Sequence, residues 1–238
     1  EMSASLVGSE MCIRDRFSSY LQKMGETLLR HCGITKRLSL TILPTGIAPG
    51  WTDGKKEYLV PENTITEAYN DIYAKFTALL GIHFHEIAHI IYCDFAEEQK
   101  AIDKIKAGEF YGELPVPKTQ AEVDALTEMK DALQNSAYRP LFQQIFNDVT
   151  NTIDDPHDEG KIIDEFGGIV EKGIATSREA LFRSFDYAEN ILANDKATKL
   201  QKLYALMLEF ARFEDVFARD LEQCVCDNCL LYTSDAAD

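Results

Sequence analysis

The segment GIHFHEIAHIIYCDF, residues 81–95, constrains the fold of this chain more than any other part of its 238 residues. It places His85, Glu86 and His89 in the pattern H-E-x-x-H within a largely apolar run. On an α-helix, residues four apart lie about 40° apart around the axis and one turn along it, so both imidazoles face one point in space. The segment therefore predicts a buried helix that directs two histidines at a shared ligand.

This pattern is typical of a zinc site, because two imidazoles one helical turn apart can chelate the ion. Glu86 lies about 100° around the helix from His85. It can reach a water molecule on the metal without being a ligand, as a general base must. We predict His85 and His89 as Zn²⁺ ligands and Glu86 as the catalytic residue. The competing interpretation is a pair of core histidines, and His83 is assigned to packing or to support of a ligand.

A catalytic zinc ion usually has three protein ligands and one open position. The compact pattern H-E-x-x-H-x-x-G-x-x-H is excluded, because Tyr92 and Phe95 occupy the places of its Gly and its last His. The densest cluster of ligand-type side chains is FNDVTNTIDDPHDEG, residues 146–160. The third ligand is therefore expected in this later segment.

Together, the HEIAH helix, the preceding TDGK turn at residues 52–55 and the later N-x-x-D-D motif carry a family resemblance. They resemble the gluzincin-like zinc metallopeptidases predicted in phage and bacterial genomes, which are often followed by a von Willebrand factor A-type domain. The resemblance implies Asp154 as third ligand, where Glu is usual in the family, and Asp155 as support for a ligand histidine. Asn151 and Glu159 match the remaining motif positions.

The resemblance also implies a zincin-like fold, a peptide or protein substrate and a von Willebrand factor A-type domain beyond the C-terminus. By analogy with zincins, residues 38–43 or 56–60 would form the edge strand that pairs with extended substrate. The function expected is hydrolysis of peptide bonds. Two rival hypotheses are a catalytically inactive, metal-stabilised interaction module of a longer phage or bacterial protein, and a metal-free helical domain.

Pro156 leaves a second interpretation of the acidic segment open, because proline disfavours helical geometry in the residue before it and breaks or kinks helices. Asp155 would then cap a new helix, with Pro156 at its first position and Asp158 in its first turn. On this interpretation the acidic residues cap a helix or lie in solvent, and they do not bind a metal. His157, Asp158 and Glu159 remain competing ligands.

Apolar periodicity predicts one mostly helical α+β domain with a small sheet near the N-terminus. A first helix over 17–31 is followed by short strands around 37–43 and on both sides of the Asp53–Gly54 turn. Thr64 to Phe95 is predicted as one long or one broken helical region, with Gly81 as a candidate break. Further helices are predicted over 96–107, 119–134, 138–153, 161–172, 177–192 and 196–221.

Both ends of the chain look foreign to the domain. Residues 6–16, LVGSEMCIRDR, and residues 229–238, CLLYTSDAAD, resemble translated sequencing adapters. We therefore interpret residues 1–16 and 229–238 as non-native tails. Residues 17–228 are then the metallopeptidase domain, as a fragment of a longer protein.

The charge balance limits the partners. Forty Asp and Glu against 24 Lys and Arg give a formal net charge of −16, and no basic stripe is present to displace counterions from nucleic acid. No apolar run reaches the roughly 18 residues of a membrane span, and no signal-peptide pattern is seen. These features predict a cytoplasmic protein without nucleic-acid or membrane partners. The six cysteines need not form disulfides in that compartment.

Overall fold

The computed structural model describes residues 2–46, 48–184, 188–199, 201–208 and 211. In this part of the chain, helices dominate and one three-stranded sheet lies before the histidine-rich helix, which confirms the prediction of a mostly helical α+β fold. The elements are α1 Met2–His31, β1 Ser39–Ile42, β2 Gly50–Thr52, β3 Lys56–Leu59, α2 Thr64–Glu67, α3 Ile72–Tyr92, α4 Phe95–Ala107, α5 Gln120–Gln134, α6 Arg139–Phe166, α7 Gly168–Ser184 and α8 Ala188–Leu192.

The sheet has the strand order β1-β3-β2. β1 pairs parallel with β3, and β2 pairs antiparallel with it through a tight turn. The turn is held by Asp53, whose carboxylate accepts hydrogen bonds from the backbone of Lys55 and Lys56, and Gly54 adopts a φ of 78° there. The predicted Asp53–Gly54 turn is confirmed, and β2 becomes an edge strand of the sheet.

Helix α3 is the central element of the core. It begins at the cap residue Asp71, whose side chain accepts a hydrogen bond from the backbone N–H of Ala74, and it runs unbroken through the H-E-x-x-H segment. Its apolar side chains pack with α1, the sheet, α6 and α7. Buried members of this core are Leu21, Leu29, Leu38, Leu59, Leu79, Leu80, Ile82, Phe84, Ile87, Ile162, Val170 and Ile174.

Gly81 does not break the helix, contrary to the expectation from sequence. It lies where α3 crosses α7, and a Cβ built on Gly81 would lie 2.1 Å from the carbonyl oxygen of Gly173. The two backbones approach this closely only because neither residue has a side chain. The crossing also positions residues of the site. His85 lies one turn after Gly81 on α3, and Ser177 and Arg178 lie about one turn after Gly173 on α7.

Substitution of Gly81 by alanine is expected to destabilise the fold by at least about 3 kcal/mol, because backbone atoms of α7 cannot move aside locally. Gly160→Ala is the matched control, since Gly160 is also helical and a Cβ there meets nothing within 4 Å. It should stabilise by about 0.5–1 kcal/mol through helix propensity alone. Urea unfolding of both variants measures the difference, and equal stabilities would contradict the close crossing.

Helix α6 runs through Pro156 from Arg139 to Phe166, so the predicted break at this proline is wrong. A proline inside a helix removes one backbone hydrogen bond and costs on the order of 3 kcal/mol. Contacts of the flanking residues offset that cost, since Asp155 and Asp158 pair with His89 and Ile162 lies in the core. The helix ends instead at Gly167, where the backbone turns through positive φ before α7 begins.

The described chain forms two compact units. The first contains the residues up to Cys93 together with those from Asp154 on, and the second is Asp94–Ile153. Within the second unit, the guanidinium of Arg139 donates to the carbonyl oxygens of Lys106, Leu133 and Gln134 and so ties together the ends of α4 and α5.

Of the two segments interpreted as non-native tails, positions 2–16 are among the described residues and positions 229–238 are not. Positions 2–16 are part of α1. Like positions 229–238, half of the positions of the helix predicted over 196–221 lie outside the described residues. In the described part of the chain, no single helix is both long enough and apolar enough to span a membrane.

Candidate metal centre

Helices α3 and α6 bring three ligand-type atoms together. The Nε2 atoms of His85 and His89 lie 3.1 Å apart, and Asp155 Oδ1 lies 3.7 Å from the former and 3.1 Å from the latter. We call these three atoms the donor triangle. It is formed because His85 and His89 are one turn apart on α3 and Asp155 faces them from α6.

The donor triangle has the dimensions of a zinc site. Tetrahedral ligands about 2.0–2.1 Å from Zn²⁺ are about 3.3–3.4 Å from one another, close to the three observed distances of 3.1, 3.1 and 3.7 Å. The circle through the three atoms has a radius of about 1.9 Å, so a point just off their plane is at bonding distance from all three. Two imidazoles and one carboxylate suit zinc and leave a fourth position open.

The opposite nitrogens of both histidines are held by carboxylates. The Nδ1 of His85 lies 2.7 Å from Glu159 Oε1, and the Nδ1 of His89 lies 3.2 Å from Asp158 Oδ2. With Nδ1–H donating to a carboxylate, each Nε2 carries a free lone pair directed at the donor triangle. Such carboxylate–histidine pairs fix the tautomer and orientation of ligand histidines.

Cys93 adds a second group of ligand-type atoms on the far side of His89. Its Sγ lies 3.2 Å from His89 Nδ1 and 3.0 Å from Asp158 Oδ2. This group uses the Nδ1 of His89 and excludes His85, so it cannot be filled together with the donor triangle by a neutral His89. Burial raises the pKa of the Cys93 thiol to about 11, which keeps it protonated as a donor to Asp158.

The structure does not place Asp154, the predicted third ligand, in the donor triangle. The carboxylate in the donor triangle belongs to Asp155, because the uninterrupted helix α6 presents Asp155, Asp158 and Glu159 on one face at spacings of three and four residues. Asp154 lies at the margin of that face and is partly exposed. Burial and the nearby charge of Asp158 raise the pKa of Asp154.

The remaining candidates of the acidic segment have other places. Asn151 is exposed, and His157 is 58% exposed while its Nδ1 pairs with Asp158. Asp158 and Glu159 are both buried and support the histidines instead of joining the donor triangle. Asp158 and Glu159 thus hold the two histidines, which is the role that the family resemblance implies for Asp155.

Glu86 lies next to His85 on α3 and is buried. It is 5% exposed, and no described residue donates a hydrogen bond to its carboxylate. Burial raises its pKa to about 7, against the opposing charges of His85 and His89. A carboxylate without a donor and with a pKa near neutrality is poised to accept a proton at physiological pH.

A cavity of about 190 Å³ opens beside these residues. Gly50 of β2, His85 and Glu86 of α3, Glu159 of α6 and Arg178 of α7 contribute to its wall. A Cβ on Gly50 would lie 3.1 Å from Glu86 Oε1, so only glycine lets the strand approach the carboxylate this closely. The strand beside the site is therefore β2, and the two segments expected from sequence, 38–43 and 56–60, form the far edge and the centre of the sheet.

His83 and Glu57 form a separate, fully buried pair behind the site. His83 Nδ1 lies 2.6 Å from Glu57 Oε1, and both side chains are 0% exposed. The imidazole packs against Gly25 of α1, where a Cβ would lie 3.1 Å from its Cε1. His83 is thus packed away from the donor triangle.

Zinc affinity is expected to rise with pH, because the ion needs neutral His89. Burial acts to lower the pKa of His89, but hydrogen bonds with Asp158 and Cys93 outweigh it and raise the pKa to about 10. His89 is therefore protonated in metal-free protein below this pH, and binding releases one proton. Competition with a chromophoric chelator should show affinity rising about tenfold per pH unit between about pH 7 and 9. A flat profile would contradict a protonated His89.

The sequence offers Asp155, Glu159 and Arg178 as candidates but does not assign them the places that they take in the structure. Asp155 and Glu159 are four residues apart, as His85 and His89 are, so a helix continuing through Pro156 brings both acids to the histidines. Arg178 had no comparable pattern, because its place in the cavity depends on where α7 crosses α3. The sequence also offers Tyr138, Arg139, His157, Arg178 and Tyr187, unranked, as residues that could stabilise an oxyanion. Of these, Arg178 lines the cavity, Tyr138 is exposed, Arg139 binds helix ends and Tyr187 lies outside the described residues.

Comparison with known proteins adds no assignment to this geometry: no family model, no curated protein and no solved structure matches the chain.

Proposed function

We propose that this chain is a zinc-dependent peptidase of zincin-like type, with Glu86 as general base. The observation that carries the proposal is the donor triangle of His85, His89 and Asp155, with distances of 3.1 to 3.7 Å, set beside an unpaired buried carboxylate at an open cavity. A metal site that only stabilises the fold requires neither an open cavity beside the ion nor a nearby carboxylate, such as Glu86, that is not a ligand.

The chain's own residues divide the work between binding and proton transfer. His85, His89 and Asp155 would hold the ion, with Glu159 and Asp158 fixing the two imidazoles. When bound, zinc supplies a Lewis acid that polarises the scissile carbonyl and makes a water molecule more acidic. Glu86 would accept the proton of the attacking water and return it to the leaving amine.

The edge strand β2 supports a peptide as substrate. Ladder hydrogen bonds to β3 are made by Pro49 O and Asp53 N, so by the alternation of an antiparallel ladder Gly50 and Thr52 direct their backbone groups away from β3. An extended peptide can add to this edge by main-chain hydrogen bonds. Gly50 would place it against Glu86.

The proposal is tested with protein purified without chelator. Zinc content is measured first, and a mixed peptide library is then incubated with the protein, with protein stripped by a chelator, and with stripped protein after zinc is restored. The expected result is near one zinc per chain and cleavage that disappears and returns with the metal. Bound zinc without cleavage would favour the interaction module, and absence of any bound transition metal would favour the metal-free domain.

A further inference from the structure

Arg178 is a cation in the cavity wall with most of its donors unused. Its Nε donates to Glu159 Oε2, while the other oxygen of Glu159 accepts from His85 Nδ1 at 2.7 Å. One carboxylate thus fixes the guanidinium relative to a proposed zinc ligand. Among the described residues, the two terminal nitrogens of Arg178 have no hydrogen-bond partner, although the side chain is only one-third exposed.

The surroundings of Arg178 fit one terminal residue of a peptide. The cavity of about 190 Å³ is smaller than the roughly 300–1,000 Å³ of common small-molecule sites. Ile65, Ile82 and Leu181 form apolar walls beside the guanidinium. The cavity wall also carries the carboxylates of Glu86 and Glu159, of which Glu159 is already paired with Arg178. The two terminal nitrogens of Arg178 still require an acceptor, and the apolar walls leave room for an apolar side chain.

A carboxylate meets that requirement best. The two terminal nitrogens of a guanidinium donate in parallel to both oxygens of a carboxylate, and such charge-assisted pairs are about twice as strong as hydrogen bonds between neutral groups. A peptide carbonyl offers one oxygen and no charge. The two free terminal nitrogens of Arg178 therefore favour the C-terminal carboxylate of a peptide over a carbonyl group in the middle of a peptide.

We propose that Arg178 binds the α-carboxylate of the C-terminal residue of the substrate, so the protein removes apolar residues from the C-terminal end of peptides. This inference rests on the proposed peptidase function and names its substrate class. In the reaction, one water adds to the carbonyl carbon of the last peptide bond and the C–N bond breaks. Water's oxygen remains in the new carboxylate. One of its two protons passes through Glu86 to the nitrogen of the released amino acid, and the second also ends on that nitrogen, which leaves as an ammonium group.

The test compares two peptides that differ only at the last group, an N-acylated tripeptide ending in leucine and the same peptide ending in leucinamide. Zinc-loaded wild type should cleave the free acid with a kcat/KM about 10–100-fold above that of the amide. In Arg178→Gln the preference for the free acid over the amide should fall to about threefold or less. Arg178→Lys should retain part of the preference for the acid, because lysine keeps the positive charge but lacks the two parallel N–H donors of the guanidinium. Equal rates on acid and amide in the wild type, or equal slowing of both in the variant, would overturn the inference.

A binding measurement separates this inference from the proposed function. Calorimetry of zinc-loaded protein with N-acetyl-leucine and N-acetyl-leucinamide needs no turnover. Tighter binding of the acid that is lost in Arg178→Gln supports the carboxylate site even where no peptide is cleaved, and only the peptidase function then fails. The same affinity for the acid in wild type and Arg178→Gln, with zinc content equal in both, places the carboxylate elsewhere and overturns the inference.

Discussion

Glu86→Gln is expected to lower the rate of peptide hydrolysis by about 10²–10⁴-fold while zinc content stays at the wild-type level. The amide has nearly the shape of the carboxylate but cannot accept a proton from water. Because Glu86 is outside the donor triangle, the three zinc-binding atoms stay in place. Glu128→Gln, at an exposed position of α5, is the matched control and should change neither quantity.

In the metal-free protein, the same variant is expected to increase the stability of the fold. Burial raises the pKa of Glu86 from its usual value near 4.5 to about 7 in the folded state. The charged carboxylate therefore destabilises the fold increasingly as pH rises from 4.5 to about 7, and fully above that. Glu86→Gln should raise the free energy of unfolding by on the order of 3 kcal/mol at pH 8 and by nothing near pH 4.

These two results are measured by zinc analysis with peptide cleavage and by urea unfolding at several pH values. Retention of cleavage in Glu86→Gln would remove Glu86 as the base. A variant that is less stable than wild type at pH 8 would show that the carboxylate has a stabilising partner, contrary to its observed surroundings.

The second large effect concerns the third ligand, where neighbouring residues provide a matched series. Asp155→Ala is expected to weaken zinc binding by well over 100-fold, because it removes one of three protein ligands. Glu159→Gln should weaken it by about 10–100-fold, the usual cost of losing a group that orients a ligand. Asp154→Ala should change affinity by less than about threefold.

Competition with a chromophoric chelator at one pH ranks the three variants. The order Asp155, then Glu159, then Asp154 follows from the placement of the three side chains along α6. A larger loss for Asp154→Ala than for Asp155→Ala would instead support the residue assignment implied by the family resemblance.

Local pattern was enough to predict the elements that depend on neighbours in sequence. The two histidines and Glu86 come from one helical turn, and the strands around Asp53 come from alternation and a turn residue. Gly81 misled for the opposite reason, because its role depends on Gly173, far away in the chain. Glycine at a helix crossing and glycine at a helix break have the same local appearance.

The acidic segment shows the same limit at the site itself. Local propensity favours a helix start at Pro156, and on that basis the choice among Asp154, Asp155 and Glu159 stays open. Pairing of Asp155 and Asp158 with His89, and packing of Ile162 in the core, favour a helix α6 that is continuous through the proline. Only then do Asp155 and Glu159 face His85, so the identity of the third ligand follows from packing that no local pattern contains.

Zinc in the donor triangle can be located by anomalous diffraction at the zinc absorption edge, on crystals of protein loaded with one equivalent of zinc. We expect one peak about 2.0–2.2 Å from His85 Nε2, His89 Nε2 and an oxygen of Asp155. A peak bounded by His89 Nδ1, Cys93 and Asp158, or no peak within reach of His85, would contradict this placement.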